Sequence, residues 1–108
     1  MANFPCPYLN GEVELTDERE KHIAERHPDL IPEYFENLRI TLADPDSVRR
    51  SNRFTNARLF TKWFSSVRRG KYVVVVVVTE QEPKKRNWVV TAYMARRLEE
   101  GNLEWAKD

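Results

Sequence analysis

Six consecutive valines, Val73 to Val78, constrain this chain more than any other feature. Valine is stiff at χ1 and favours strands. Because strand side chains alternate between faces, an unbroken apolar run gives the strand two apolar sides. It therefore predicts a central strand, covered by helices on one side and by something partly apolar on the other. The run is far shorter than the roughly 20 apolar residues that span a bilayer. A length of 108 residues with 32% charged side chains suits one soluble domain, residues 1–108, around a single core.

The valines sit in the third of four short segments. Segments 47–53, 58–66, 71–79 and 87–94 are rich in valine, aromatic and threonine residues and are separated by turn-like Thr55-Asn56, Arg69-Gly70 and Pro83-Lys84-Lys85. They read as an antiparallel meander. Upstream, Thr16 precedes acidic Asp17 and Glu18, an N-cap for a helix that ends near Arg26 because Pro28 restricts His27. A second helix is expected from Pro32, with Ile31, Tyr34, Phe35, Leu38 and Leu42 on one face. The fold class that follows is α+β: two N-terminal helices packed on a twisted four-stranded antiparallel sheet. Met1 to Gly11 reads as an irregular lead-in, the alternating Glu12-Val13-Glu14-Leu15 as a short stretch able to add an edge strand, and Leu103 and Trp105 are expected to anchor a C-terminal tail.

Charge is segregated along the chain. Met1 to Asp46 carries four Lys/Arg against eleven Asp/Glu, Ser47 to Leu98 thirteen against two, and Glu99 to Asp108 one against four. A basic middle between acidic ends suits an anionic partner, or acidic helices paired with basic strands inside the domain. The opening MANFPCPYLN has no basic region followed by an apolar stretch, and a lone Cys6 forms no internal disulfide. Both features predict a cytoplasmic protein without a membrane anchor. Three isolated glycines build neither a GxGxxG nor a phosphate-binding P-loop, and no GxSxG elbow is present. His22 and His27 are separated by about 140° on a helix and do not form an i, i+4 metal pair. No metal and no cofactor is expected.

Cationic and proton-transferring side chains remain. An imidazole beside a phosphodiester can take a proton from a 2′-hydroxyl or give one to a departing 5′-oxygen, which makes His22 and His27 candidates. Alternation along the second strand puts Arg58, Phe60, Lys62 and Phe64 on one face, where cations interleave with aromatics as on a nucleic-acid surface. Arg49, Arg50 and Arg53 would broaden it. In the last strand Val89, Thr91 and Tyr93 are expected to share a face, with Arg96 beyond its end. Each has a plainer reading as a helix-end histidine, a solvated charge or an ordinary sheet residue.

Taken together, "LTDEREKHIAERHPDL", "TLADPDSV", "RLFTKWF", "KYVVVVV" and "VVTAYMARRLEEGNLEW" resemble the phage and bacterial PBECR nucleases, a branch of the barnase/EndoU/colicin/RelE-like superfamily. The resemblance spans about Cys6 to Trp105. It implies metal-independent RNA cleavage through a 2′,3′-cyclic phosphate, often in toxin or phage-conflict settings; a toxin component of this kind would be held by an acidic antitoxin or immunity protein covering the basic strands. Carried onto this chain, it nominates His22, His27, Lys62 and Thr91 as catalytic residues. It gives Arg58, Tyr93 and Arg96 as RNA-binding residues, to which the strand reading adds Arg49 and Arg53. The alternative is a non-catalytic RNA-binding or protein-interaction module of the same fold.

Overall fold

In the computed structural model, which describes residues 1–108, the strands are β1 (Ala2–Cys6), β2 (Gly11–Leu15), β3 (Ser47–Arg50), β4 (Ala57–Phe64), β5 (Lys71–Glu80), β6 (Arg86–Ala95) and β7 (Asn102–Ala106). Helices α1 (Asp17–Arg26) and α2 (Phe35–Ala43) lie between β2 and β3. The strands form one sheet in the order β1-β2-β6-β5-β4-β3-β7, so the valine strand is central. This overturns the expected four-stranded antiparallel sheet: the sheet has seven strands and is mixed, because β2 runs parallel to β6. No helix is long and apolar enough to cross a membrane.

Two of the three added strands, β1 and β2, have a local cause, and β7 does not. Phe4 and Cys6 in the lead-in, and Val13 and Leu15 in the alternating stretch after it, are buried while their neighbours face outward, the alternation of a half-buried hairpin in which β1, not β2, takes the edge. Pro5 is tolerated because β1 is an edge strand. Cys6 is thus a core residue. All five residues of β7 are exposed, with Leu103 at 60% and Trp105 at 38%, so the tail is not anchored by apolar burial. It is held by pairing with β3 and by a clasp on Glu104, whose carboxylate accepts from Tyr8 Oη, Arg50 Nη1 and Arg58 Nε.

Helix α1 follows its sequence signals: the Thr16 hydroxyl accepts from the Arg19 amide at 3.2 Å, and the helix stops before His27-Pro28. Helix α2 begins at Phe35 rather than Pro32, because residues 28–34 turn instead, with the Tyr34 amide donating to Leu30 O at 2.7 Å. Strand register divides the sheet into two faces. The rows Val48–Phe60–Val75–Ala92 and Arg50–Arg58–Val77–Val89 face the helices, where Leu38, Leu42 and Ile23 close the core. The rows Ser47–Thr61–Val74–Tyr93 and Arg49–Leu59–Val76–Thr91 face away from them. A bulge opposite Val76/Val77 makes Val90 the extra residue, so Val89 turns into the core instead of sharing a face with Thr91 and Tyr93.

Residues 96–101 link β6 to β7 across the face away from the helices. Arg49 fastens this strap, donating from Nε to Glu100 O at 2.7 Å and from Nη2 to Gly101 O at 2.9 Å. Thr61 and Val74 are buried on that face. Four interstrand spacings of about 4.8 Å lie between the strap's ends, and six residues reach only roughly 20 Å, so the strap has little slack. Gly101 adopts φ +78°, and a Cβ there would lie 2.5 Å from Arg50 O. A side chain at this position would lift the strap.

The Glu104 clasp carries a pH signature. Burial pushes the Glu104 carboxyl up, but its bonds from Tyr8, Arg58 and Arg50 outweigh burial and hold it below its ordinary 4.5. Burial and the same carboxylate push the Tyr8 phenol up to about 12. A carboxyl lowered on folding adds stability that is complete above its ordinary value and is lost as pH falls through the folded one. Stability therefore declines on acidification below pH 4.5. Glu104→Gln, which has no proton to take up, flattens that limb in urea unfolding measured across the acidic range. An equal pH slope in the variant would show that the clasp contributes nothing.

Candidate functional site

The strap leaves part of the face away from the helices uncovered. Beside it lies a cleft of ≈ 520 Å³ floored by Leu59, Val76, Val78 and Val90 and flanked by Trp88, Thr91 and Tyr93. The strap contributes Glu100 on one side, and the β3–β4 loop contributes Arg53 and Phe54 on the other. The loop is pinned from within: the Ser51 hydroxyl accepts from the amides of Arg53 and Phe54 at 3.1 and 3.2 Å. Arg50 Nη2 donates to Thr55 O at 2.7 Å. Phe54 is left 63% exposed, a large ring standing over the cleft mouth. Valines chosen for a doubly covered strand thus form an apolar floor where the second cover is incomplete.

Proton-handling groups meet at the β6 side. His27 caps the C-terminus of α1, its amide donating to Ile23 O at 2.6 Å, which leaves its imidazole free to pack beside the Tyr93 ring with centroids 6.0 Å apart. Burial, then the Glu100 charge, pushes the Tyr93 phenol up, so it stays protonated at neutral pH. Arg19 reaches from α1 to Val90 O, the bulge carbonyl, at 3.5 Å. His22 is half-buried on the same helix, one turn from Arg19 and Arg26. Near one pocket the chain therefore gathers an imidazole, a protonated phenol, two carboxylates (Glu100 from the strap and Glu80 from the end of β5), a threonine hydroxyl and a guanidinium.

Thr91, Tyr93 and Arg53 line this cleft and His27 adjoins it. Arg53 reaches it from a loop, because β3 ends at Arg50. Arg49 lies on the same face, but its guanidinium is committed to the strap. Arg96 is exposed at the start of the strap. Lys62 and Arg58 are not part of the cleft. Alternation places them on the helix face with Phe60, which is fully buried, so that face is core rather than a nucleic-acid surface. Lys62 Nζ lies 3.2 and 3.3 Å from Asp44 and Asp46, and Arg58 Nε 2.9 Å from Glu104. Both cations balance local carboxylates.

Phe54, Trp88 and Glu100 were not nominated from the sequence. Nothing in "RRLEEGN" says that this segment crosses the sheet with Glu100 turned inward. No group of three or more His, Cys, Asp or Glu side chains gathers closely enough to hold a metal ion. No family model, curated protein or solved structure matches the chain.

Proposed function

We propose that the protein is a small metal-independent endoribonuclease whose active site is the cleft beside the strap. The observation that carries this reading is the meeting of the His27 imidazole with Tyr93 at a pocket that also holds Thr91, Arg53 and Glu100. RNA self-cleavage chemistry needs those groups and no redox partner. The 2′-oxygen attacks the adjacent phosphorus, the P–O2′ bond forms, and the P–O5′ bond breaks. One proton leaves the 2′-hydroxyl for a base, and the departing 5′-oxygen takes one from an acid. Of the two cleft carboxylates, Glu80 and Glu100, Glu100 is the one whose charge reaches Tyr93, and with His27 it forms the pair assigned to these transfers.

The added negative charge on the pentacoordinate phosphorus is stabilised by the Arg53 guanidinium and the Thr91 hydroxyl. The Tyr93 O–H, held protonated, donates to a phosphate oxygen and fixes its position. Phe54 and Trp88 offer ring faces to unpaired bases on either side of the scissile bond. The sequence resemblance to PBECR nucleases supports the same reaction. Lys62 and Arg58, nominated by that resemblance, have no role here because they lie on the other face of the sheet.

The test is cleavage of end-labelled single-stranded RNA in excess EDTA, with analysis of the product ends. The proposal predicts 2′,3′-cyclic phosphate and 5′-hydroxyl ends. Salt-sensitive binding without turnover would assign the cleft to a non-catalytic RNA-binding module instead.

A further inference from the structure

The end of the sheet where β4 turns into β5 and β6 enters the strap carries five cations. Register pairs Tyr72 with both Trp63 and Ala95, which brings the 65–70 turn with Arg68 and Arg69 alongside Lys71, Arg96 and Arg97. None of the five lies within ion-pair distance of a carboxylate. Asp44 and Asp46, near the same end, are already balanced by Lys62 and Lys107.

The turn is built rather than loose. Arg68 and Arg69 both adopt left-handed backbone, φ 44° and 68°, followed by Gly70 at φ 101°. Two consecutive non-glycine residues in that region cost free energy and persist only when their surroundings hold them. Here Val67, 2% exposed, anchors the turn from below, and the Gly70 amide closes it on Val67 O at 2.8 Å. The Trp63 indole lies directly on Gly70, where a Cβ would come within 2.5 Å of the ring. Tyr72 meets the same indole edge to face at 4.9 Å. The outcome is a fixed indole, 43% exposed, beside two arginines held outward.

We infer that this end of the sheet is a second binding platform, for single-stranded RNA outside the cleft: the cations take phosphates and Trp63 stacks on a base. Uncompensated cations alone fit any polyanion, but a rigid exposed indole among them fits unpaired bases, which acidic proteins and lipid surfaces lack. Tyr93 lies two residues from Ala95 on β6, so a strand leaving the cleft reaches Arg96 within a few nucleotides. The inference rests on RNA being the partner but not on the cleft being catalytic.

The experiment is fluorescence anisotropy with a 12-nucleotide 2′-O-methyl RNA, which has no free 2′-hydroxyl and is not cleaved. The variants are Arg68→Asn/Arg69→Asn, in which asparagine keeps the left-handed turn while the charge is removed, and Trp63→Leu. Lys21→Asn/Lys84→Asn is the charge-matched control. Losing two phosphate contacts should weaken binding roughly tenfold or more and lower the slope of log K against log salt by about 1.4. Trp63→Leu should lose roughly tenfold with the slope retained. Turnover of a trinucleotide that fills only the cleft should not change. Thermal unfolding verifies that each variant is folded. Unchanged affinity in both folded variants, or an equal loss in the control, would overturn the platform. So would equally tight, Trp63-independent binding of polyphosphate, an acidic peptide or anionic vesicles. If the wild type cleaves no RNA but the variants bind as expected, the nuclease reading falls and the platform stands.

Discussion

Replacing His27 with alanine should lower kcat/KM on single-stranded RNA by about 10²–10⁴-fold, the usual contribution of one proton-transfer group. The fold should survive, because the cap of α1 is made by the His27 amide on Ile23 O rather than by the ring. Added imidazole should restore part of the rate to this variant, which a merely structural histidine would not permit. Lys62→Ala should have the opposite profile. Its ammonium lies on the other face of the sheet between Asp44 and Asp46, so removing it should leave kcat/KM within about threefold and lower stability modestly. Steady-state kinetics and thermal melts on the two variants separate a catalytic face from a structural one. Loss of cleavage in folded Lys62→Ala, with His27→Ala active, would move the site to the helix face.

Phe60→Ala should be the most damaging single change to the fold. Phe60 is fully buried in the row Val48–Phe60–Val75–Ala92 and meets the Tyr8 ring edge to face at 5.8 Å. It therefore touches both the helix-covered core and the segment that reaches the Glu104 clasp. Truncating a buried phenylalanine costs about 3–5 kcal/mol, and a domain of this size melts roughly 15 °C lower as a result. Urea unfolding should show a lower midpoint with an unchanged m value. A loss below about 1 kcal/mol would mean that the helices do not press on this strand as described.

Elements governed by local rules were legible in the sequence. Thr16 and Pro28 bound α1, and the valine run marks the central strand with one face under helices and the other partly covered. What was not legible depends on contacts between distant parts of the chain. The β6 bulge is invisible to a strict alternation rule, so Val89 was put on the wrong face. Strand β7 has no buried side chain to betray it, since its pairing with β3 is made by the backbone. The cation-aromatic alternation of β4 was real, but its direction was not encoded locally. Whether Arg58 and Lys62 meet RNA or Glu104, Asp44 and Asp46 is decided by which face the helices occupy. Glu100 and Phe54 reach the cleft only because the strap crosses and the β3–β4 loop folds over, and neither event has a local signature.

The charge pattern resolves in the same way. Of the thirteen cations between Ser47 and Leu98, Arg50, Arg58, Lys62 and Arg86 are paired with carboxylates, and those carboxylates come from loops and strands rather than from α1. Most of the basic middle is therefore not neutralised within the domain. It stays available along the strap and the β4–β5 turn, outside the cleft, while Arg53 alone of these cations lines the cleft itself.

The most direct test of the central claim, that RNA occupies the cleft on the face away from the helices, is an NMR titration of the labelled protein with a short 2′-O-methyl oligonucleotide. The account predicts shifts of the Trp88 indole and of the Phe54, Val76, Thr91 and Tyr93 amides, with Lys62, Leu38 and Lys107 unmoved. Shifts confined to Lys62, Asp44 and Lys107, or none at saturating oligonucleotide, would contradict it.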